Sequence, residues 1–135
     1  MGLSVGIITY NEEKNILKVI KSVEKIADEI IIVDSNSTDN TVDLAKKNGA
    51  QVFIENWKGY GPQKNSVIEK CNHDWILLID ADEVVSEKLR KRIFKIINNK
   101  PEFEVYKINF TAVCFGKTIK YGGWSNHYRI RLFRR

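Results

Sequence analysis

With 135 residues, 43% of them hydrophobic, the chain suits one compact domain with a real core, which excludes fibrous and low-complexity architectures. No apolar run reaches the roughly 20 residues that cross a bilayer, and MGLSVGIITYNEE lacks the basic stretch, long apolar core and cleavage site of a secretory leader, so a cytoplasmic protein is expected. The net charge of +5 is unevenly spread: all 17 acidic residues precede Val105, whereas seven of the 22 basic residues follow it, leaving a cationic segment able to attract phosphates.

Leu3–Thr9 is an apolar, β-branched run that predicts a buried strand, and the polar cluster after it predicts entry into a helix. Asn11 is the expected N-cap, with Glu12 and Glu13 in the first turn and Ile16, Val19, Ile20, Val23, Ile26 and Ala27 at helical spacing. A second apolar run, Ile30–Val33, stops at Asp34-Ser35-Asn36-Ser37-Thr38-Asp39. Thr41–Lys47 then predicts a helix ended by Asn48-Gly49, with Asp39 as its cap, and Gln51–Glu55 a third strand. Continuous apolar strands separated by helix-length segments imply a parallel sheet covered on both faces, the α/β class.

Trp57-Lys58-Gly59-Tyr60-Gly61-Pro62 is expected to be a loop, Gln63–Lys70 a helix, and Trp75–Ile79 a buried strand ending at Asp80-Ala81-Asp82-Glu83. A basic amphipathic helix follows, with Leu89, Ile93, Phe94 and Ile97 on its apolar face. Tyr106–Val113 predicts another strand and Phe115-Gly116-Lys117 a turn. Cys71 and Cys114 are too few and too isolated for a disulfide framework or a zinc site.

In an open parallel sheet, ligands bind beyond the carboxyl ends of the strands. Three polar clusters lie at those ends here: Thr9-Tyr10-Asn11-Glu12, Asp34 to Asp39, and Asp80-Ala81-Asp82. Asp80 and Asp82, two residues apart after an apolar strand, can leave it together and hold Mg²⁺ or Mn²⁺ with substrate phosphates completing the shell. Asp34 either caps a turn or accepts from a nucleobase N–H, and Tyr10 and Glu12 either pack locally or contact base and ribose. The Gly-x-Gly of the 57–62 loop lacks the third glycine and the preceding strand of a dinucleotide fingerprint. It reads either as a surface turn or as a mobile loop presenting Lys64 and a helix N-terminus to diphosphate oxygens.

Taken together and in order, Ile-Thr-Tyr-Asn-Glu-Glu, Val-Asp-Ser-Asn-Ser-Thr-Asp-Asn-Thr, Gly-Tyr-Gly-Pro-Gln-Lys-Asn, Trp-Ile-Leu-Leu-Ile-Asp-Ala-Asp-Glu and Arg-Leu-Phe-Arg-Arg resemble family 2 glycosyltransferases, closest to bacterial lipopolysaccharide-core β-glucosyltransferases. The resemblance implies a GT-A fold, a Rossmann-like, mainly parallel sheet in three α/β/α layers, with residues 1–135 as one nucleotide-sugar-binding domain and 105–135 as the basic start of an acceptor side. It implies a UDP-glucose-like donor contacted by Thr9, Tyr10, Glu12, Asp34, Lys64 and Asp80, with the metal on Asp80 and Asp82 and Glu83 supporting the metal loop.

It further implies hexose transfer with inversion to a cell-envelope glycan or lipid-linked acceptor. Ser35 departs from the second Asp that many relatives carry there. The candidate general base of such enzymes is expected beyond Asp82, yet no acid follows Glu104, so the catalytic residue is unknown and weak transfer is expected of this chain. Robust multiple-turnover glycosylation by the 135-residue form would refute that expectation.

The cationic segment is expected to reach phosphorylated acceptors or an anionic membrane surface as a peripheral contact, and exposed apolar surface near it to favour a homo-oligomer. Two readings compete with the transferase. A nucleotidyltransferase would carry a long glycine-rich loop after the first strand. A nucleic-acid module would use Trp124, His127, Tyr128 and Phe133 among Arg129, Arg131, Arg134 and Arg135. The second leaves the three strand-end clusters without a purpose, so no nucleic-acid partner is expected. A donor-binding remnant without catalysis is a third.

Overall fold

The apolar runs pair as buried parallel strands, and the segments between them coil back across the sheet as helices. In the computed structural model, which describes residues 2–110, 113–114, 117–118 and 127–135, the elements are β1 Leu3–Thr9, α1 Ile16–Val23, β2 Glu29–Asp34, α2 Thr41–Lys47, β3 Gln51–Ile54, α3 Tyr60–Lys70, β4 Trp75–Asp80, α4 Glu87–Asn98, β5 Val105–Phe110, β6 Val113–Cys114, β7 Lys117–Thr118 and β8 His127–Arg134. Six strands form one sheet in the order β3-β2-β1-β4-β8-β5, and β6 and β7 pair separately. β3, β2, β1 and β4 are mutually parallel; β8 runs antiparallel between β4 and β5.

Alternate residues of the inner strands supply two cores. Leu3, Val5, Ile7, Ile30, Ile32, Trp75, Leu77 and Ile79 pack with α1, α2 and α4, through Ile16, Val19, Ile20, Val23, Ala45, Ile93 and Ile97. Ile31, Val33 and Ile76 pack with Val67 of α3 and with Cys71 just after it on the other face. Helices on both faces explain why β1 and β2 read as continuous apolar runs, and the result is the three-layer α/β/α arrangement expected.

Gly6 marks where α3 comes closest to the sheet. A Cβ there would lie 2.4 Å from Val67 Cγ1 and 2.8 Å from Leu78 Cδ2. Gly6→Ala is therefore expected to push α3 outward and lower stability by about 1–3 kcal/mol, read from the urea unfolding midpoint.

Several boundaries differ from the sequence reading. Asn11 does not cap α1: its backbone is left-handed (φ 50°) and its Oδ1 accepts from the Thr38 amide at 2.8 Å, so the helix starts only at Ile16, with no acid in its first turn. Asp39 Oδ1 accepts from the Thr41 amide at 3.0 Å, one residue ahead of the N-cap Asn40. α3 starts at Tyr60, inside the expected loop. Gly59, at φ 99°, provides the left-handed turn before it, and Pro62 sits in the first helical turn, where its missing N–H costs no hydrogen bond. β3 ends at Ile54, one residue short of the expected Glu55, whose amide closes the ladder on the Asp34 carbonyl.

Phe94 is 54% exposed and Ile96 packs inward instead. The expected 106–113 strand ends at Phe110, and Val113 belongs to β6. The expected turn residues Phe115 and Gly116, and Trp124, lie outside the described residues. The largest difference is β8: the cationic C-terminal run is an interior strand, paired with β4 in the same sheet as β1 to β3. Among the described residues no helix is long and apolar enough to cross a membrane.

Candidate functional site

From β1 the chain moves outward to β2 and β3, then returns to place β4 on the other side of β1, so the order reverses between β1 and β4. Such a switch point opens a crevice beyond the strand ends. Here a cleft of about 850 Å³ is lined by Ile8, Thr9, Tyr10 and Glu12 after β1, Ser35 and Asn36 after β2, Trp57 and Tyr60 at the start of α3, and Asp80, Ala81 and Asp82 at the end of β4.

The first two loops are tied to each other. The Asn11 amide donates to Ser37 Oγ at 2.8 Å, the Glu12 amide to Thr41 Oγ1 at 2.8 Å, and the Glu13 amide to Asp39 Oδ2 at 3.2 Å. Asp34 is fully buried beneath this seam. Its carboxylate accepts from Thr9 Oγ1 at 2.7 Å, Ser37 Oγ at 2.6 Å and the Ser37 amide at 2.8 Å. It does not reach the cleft wall, where the next two residues, Ser35 and Asn36, stand instead. The left-handed backbone of Asn36 (φ 61°) produces this presentation, which residue types alone did not reveal.

Asp80 sits at the centre of a charge cluster. Lys64, the fifth residue of α3, places Nζ 3.0 Å from Asp80 Oδ1. Arg131 of β8 forks onto the same carboxylate, Nη1 at 3.4 Å from Oδ1 and Nη2 at 3.1 Å from Oδ2, and Nη2 also meets Glu83 Oε1 at 3.1 Å. Glu83 Oε2 in turn accepts from the Asp80 amide at 3.0 Å. Burial raises the Asp80 carboxyl, but the bonds and charges of Arg131 and Lys64 outweigh it and hold the pKa at about 2. Burial moves Glu83 the other way, above the usual carboxylate range, with the Asp80 charge adding to the effect.

A depressed folded-state pKa stabilises above the unfolded value. The contribution of Asp80 is thus complete above its ordinary 3.8 and lost as pH falls towards about 2. Melting temperatures of the wild type and Asp80→Asn are expected to differ between pH 5 and 8 and to converge on acidification (about pH 2 to 3).

Arg131 went unrecognised in the sequence because it looked like one charge among seven. The pairing of β8 with β5 skips Arg131, and at this bulge both Arg131 and Leu132 are buried while Ile130 is 56% exposed, against the period-two pattern of Ile130 and Leu132. The other residues missed are Trp57 and Tyr60, 51% and 73% exposed on the cleft rim, with ring centroids 4.9 Å apart at 87°. Two exposed aromatics flanking a glycine were a signal of this rim. Arg134 and Arg135 pair with the start of β4, at the end of the sheet opposite the cleft. They are not placed to hold a ligand in it.

The donor set suits a hard divalent cation. Among the described residues no group of three His, Cys, Asp or Glu side chains forms a protein-only cage. Mg²⁺ and Mn²⁺, however, commonly take one or two carboxylates and fill the rest of the shell with phosphate and water. Asp82 is exposed in the cleft with its carboxylate open, and Asp80 adjoins it but is engaged by two cationic side chains.

The sequence profile of glycosyl transferase family 2 matches residues 4–134. The chain belongs to this family. An uncharacterized glycosyltransferase of Rickettsia typhi is 44% identical over 84% of the chain and 40% of its own length. The lipopolysaccharide core biosynthesis glycosyltransferase LpsC of Rhizobium meliloti is 33% identical over 98% of the chain and 51% of its own length. Among solved structures, glucosyl-3-phosphoglycerate synthase of Mycobacterium tuberculosis in complex with UDP is similar at 29% identity and a TM-score of 0.55, covering 62% of this chain and 34% of that one. The same enzyme has been crystallised with Mn²⁺, UDP and glucosyl-3-phosphoglycerate. Mannosyl-3-phosphoglycerate synthase of Rubrobacter xylanophilus, 23% identical with a TM-score of 0.56, shares the fold. This family-2 chain thus spans about two fifths to half the length of these curated relatives, and it has the GT-A architecture.

Proposed function

We propose that this chain binds a nucleoside-diphosphate hexose, UDP-glucose or a close analogue, in the cleft between β1 and β4, as the donor side of an inverting, metal-dependent transferase. The observation that carries the reading is the convergence of Asp80, Asp82 and Lys64 at the switch point of the sheet, beside a cleft whose walls come from three different strand ends. The M. tuberculosis synthase crystallised with UDP and Mn²⁺ supports the donor and cation classes, and LpsC supports a cell-envelope glycan or lipid as acceptor.

On this reading Tyr10, Glu12, Ser35 and Asn36 surround the nucleoside, with Thr9 and Asp34 holding the wall behind them. Lys64 and the N-terminus of α3 face the diphosphate, and Asp82, joined by Asp80, holds Mg²⁺ or Mn²⁺. The bound cation supplies charge neutralisation of the departing diphosphate. The residues around it fix the donor and keep the two carboxylates in place. Asp80 is tied to Lys64 and Arg131, and Glu83 to Arg131 and the Asp80 amide. The base that deprotonates the acceptor hydroxyl is therefore assigned to a carboxylate outside this set.

Calorimetric titration of UDP-glucose, other nucleotide sugars and a short RNA, each with and without Mn²⁺, tests the reading. Mn²⁺-dependent binding of a nucleotide sugar is the expected result. RNA binding that ignores Mn²⁺, with no nucleotide-sugar binding, would overturn it.

A further inference from the structure

We infer that Lys64 is an exchangeable counterion that couples the diphosphate to the cation: it neutralises Asp80 until a diphosphate draws it away, and its departure frees Asp80 Oδ1 to join Asp82 as a cation ligand. The inference rests on the donor-binding reading above and assigns a regulatory step to the same site.

The two cations on Asp80 are held in very different ways. The Arg131 side chain is 4% exposed, sits on an interior strand and makes contacts to both Asp80 oxygens and to Glu83. Its planar fork matches the carboxylate, and withdrawing it would strand two partly buried acids. Among the described residues Lys64 makes a single ion pair, is 26% exposed, and carries its charge on a flexible four-carbon stem. It projects from the second turn of α3, whose first residue, Tyr60, lines the cleft. A diphosphate there offers Lys64 a partner with more charge than one carboxylate.

The charge balance favours the exchange. Lys64 and Arg131 together match Asp80 and Glu83, so with Lys64 docked the cluster is neutral and Asp82 alone offers a cation one negative charge. When Lys64 leaves, Arg131 faces two acids, and the excess acid together with Asp82 matches a divalent ion. Binding of diphosphate and cation is then linked, and by reciprocity each strengthens the other.

The test measures Mn²⁺ uptake without nucleotide, from loss of the free-ion paramagnetic signal, and UDP binding without metal, by calorimetry in EDTA. Lys64→Met is expected to take up Mn²⁺ at least about fivefold more tightly than the wild type and to bind UDP at least about fivefold more weakly. Lys64→Gln is expected to behave likewise, and melting curves verify that both variants are folded. Lys91→Met removes an equal charge from an exposed lysine paired with Glu87 on α4, which does not line the cleft, and is expected to shift neither value.

Unchanged Mn²⁺ affinity in both Lys64 variants, or an equal gain in Lys91→Met, would overturn the coupling. If the wild type binds both UDP and Mn²⁺ while the Lys64 variants match it, only the coupling fails. If the wild type binds UDP and Mn²⁺ neither separately nor together, the donor-binding reading falls with it.

Discussion

Asp82→Ala is expected to reduce affinity for UDP-glucose in the presence of Mn²⁺ by about 100-fold, or about 2.7 kcal/mol, and to leave the melting temperature nearly unchanged. The separation of the two effects follows from where the residue sits. Asp82 is exposed in the cleft and, among the described residues, holds no other part of the fold together, so its removal leaves none of their buried groups unpaired. Its neighbour behaves otherwise. Asp80→Ala would free Lys64 and leave Arg131 and Glu83 without their shared partner, so both binding and stability suffer. Calorimetry and thermal melting on the two variants distinguish a residue that serves the ligand from one that also serves the fold.

Arg131→Met is expected to destabilise the chain by about 3 kcal/mol, lowering the melting temperature by roughly 10 °C. Methionine keeps much of the apolar stem, so the loss isolates the charge. Without the guanidinium, Asp80 and Glu83 lie close together, 31% and 20% exposed, and among the described residues only Lys64 is paired with either of them. That partial exposure places the expected cost at the lower end of the range for breaking a buried ion pair. The exposed helical pair Lys91–Glu87, with side chains 76% and 67% exposed, sets the opposite limit: Lys91→Ala is expected to change stability by no more than about 0.5 kcal/mol. Chemical denaturation of the three proteins checks both values. A small effect of Arg131→Met would show that the cluster is held by packing of β8 and not by its charges.

Much of the fold was legible because it depends on local patterns. Leu3–Thr9 and Thr41–Lys47 have the bounds that their apolar content and flanking polar residues predict, and the continuous runs at β1 and β2 correctly signalled a sheet covered on both faces. Part of what was not legible arises from contacts distant in sequence. Asn11 has the composition of a helix cap, but the β2 loop takes its side chain through the Thr38 amide, and α1 starts late. Asp34 takes the turn-capping role that its place at a strand end allows, accepting from the Ser37 amide, and only the bond from Thr9, 25 residues away, has no local signal.

The site followed the same division. The acidic residues after β4 and the residues after β1 were readable as strand-end chemistry, and they line one cleft. Arg131 was not, since a basic residue on an interior strand resembles any other surface charge until its partners are known. The pairing of β8 between β4 and β5 brings it to Asp80 across 51 residues of sequence. It also gives one residue of the cationic segment, Arg131, a place in support of the acidic cluster.

The central claim is that a nucleoside diphosphate binds at the β1–β4 switch point, and backbone amide spectra of the isotope-labelled chain titrated with UDP and Mg²⁺ test it most directly. The account predicts shifts concentrated at Thr9, Tyr10, Ser35, Asn36, Ala81 and Asp82, larger with Mg²⁺ than without. Spectra that do not respond, or shifts confined to α4 and the start of β5 on the far side of the sheet, would contradict it.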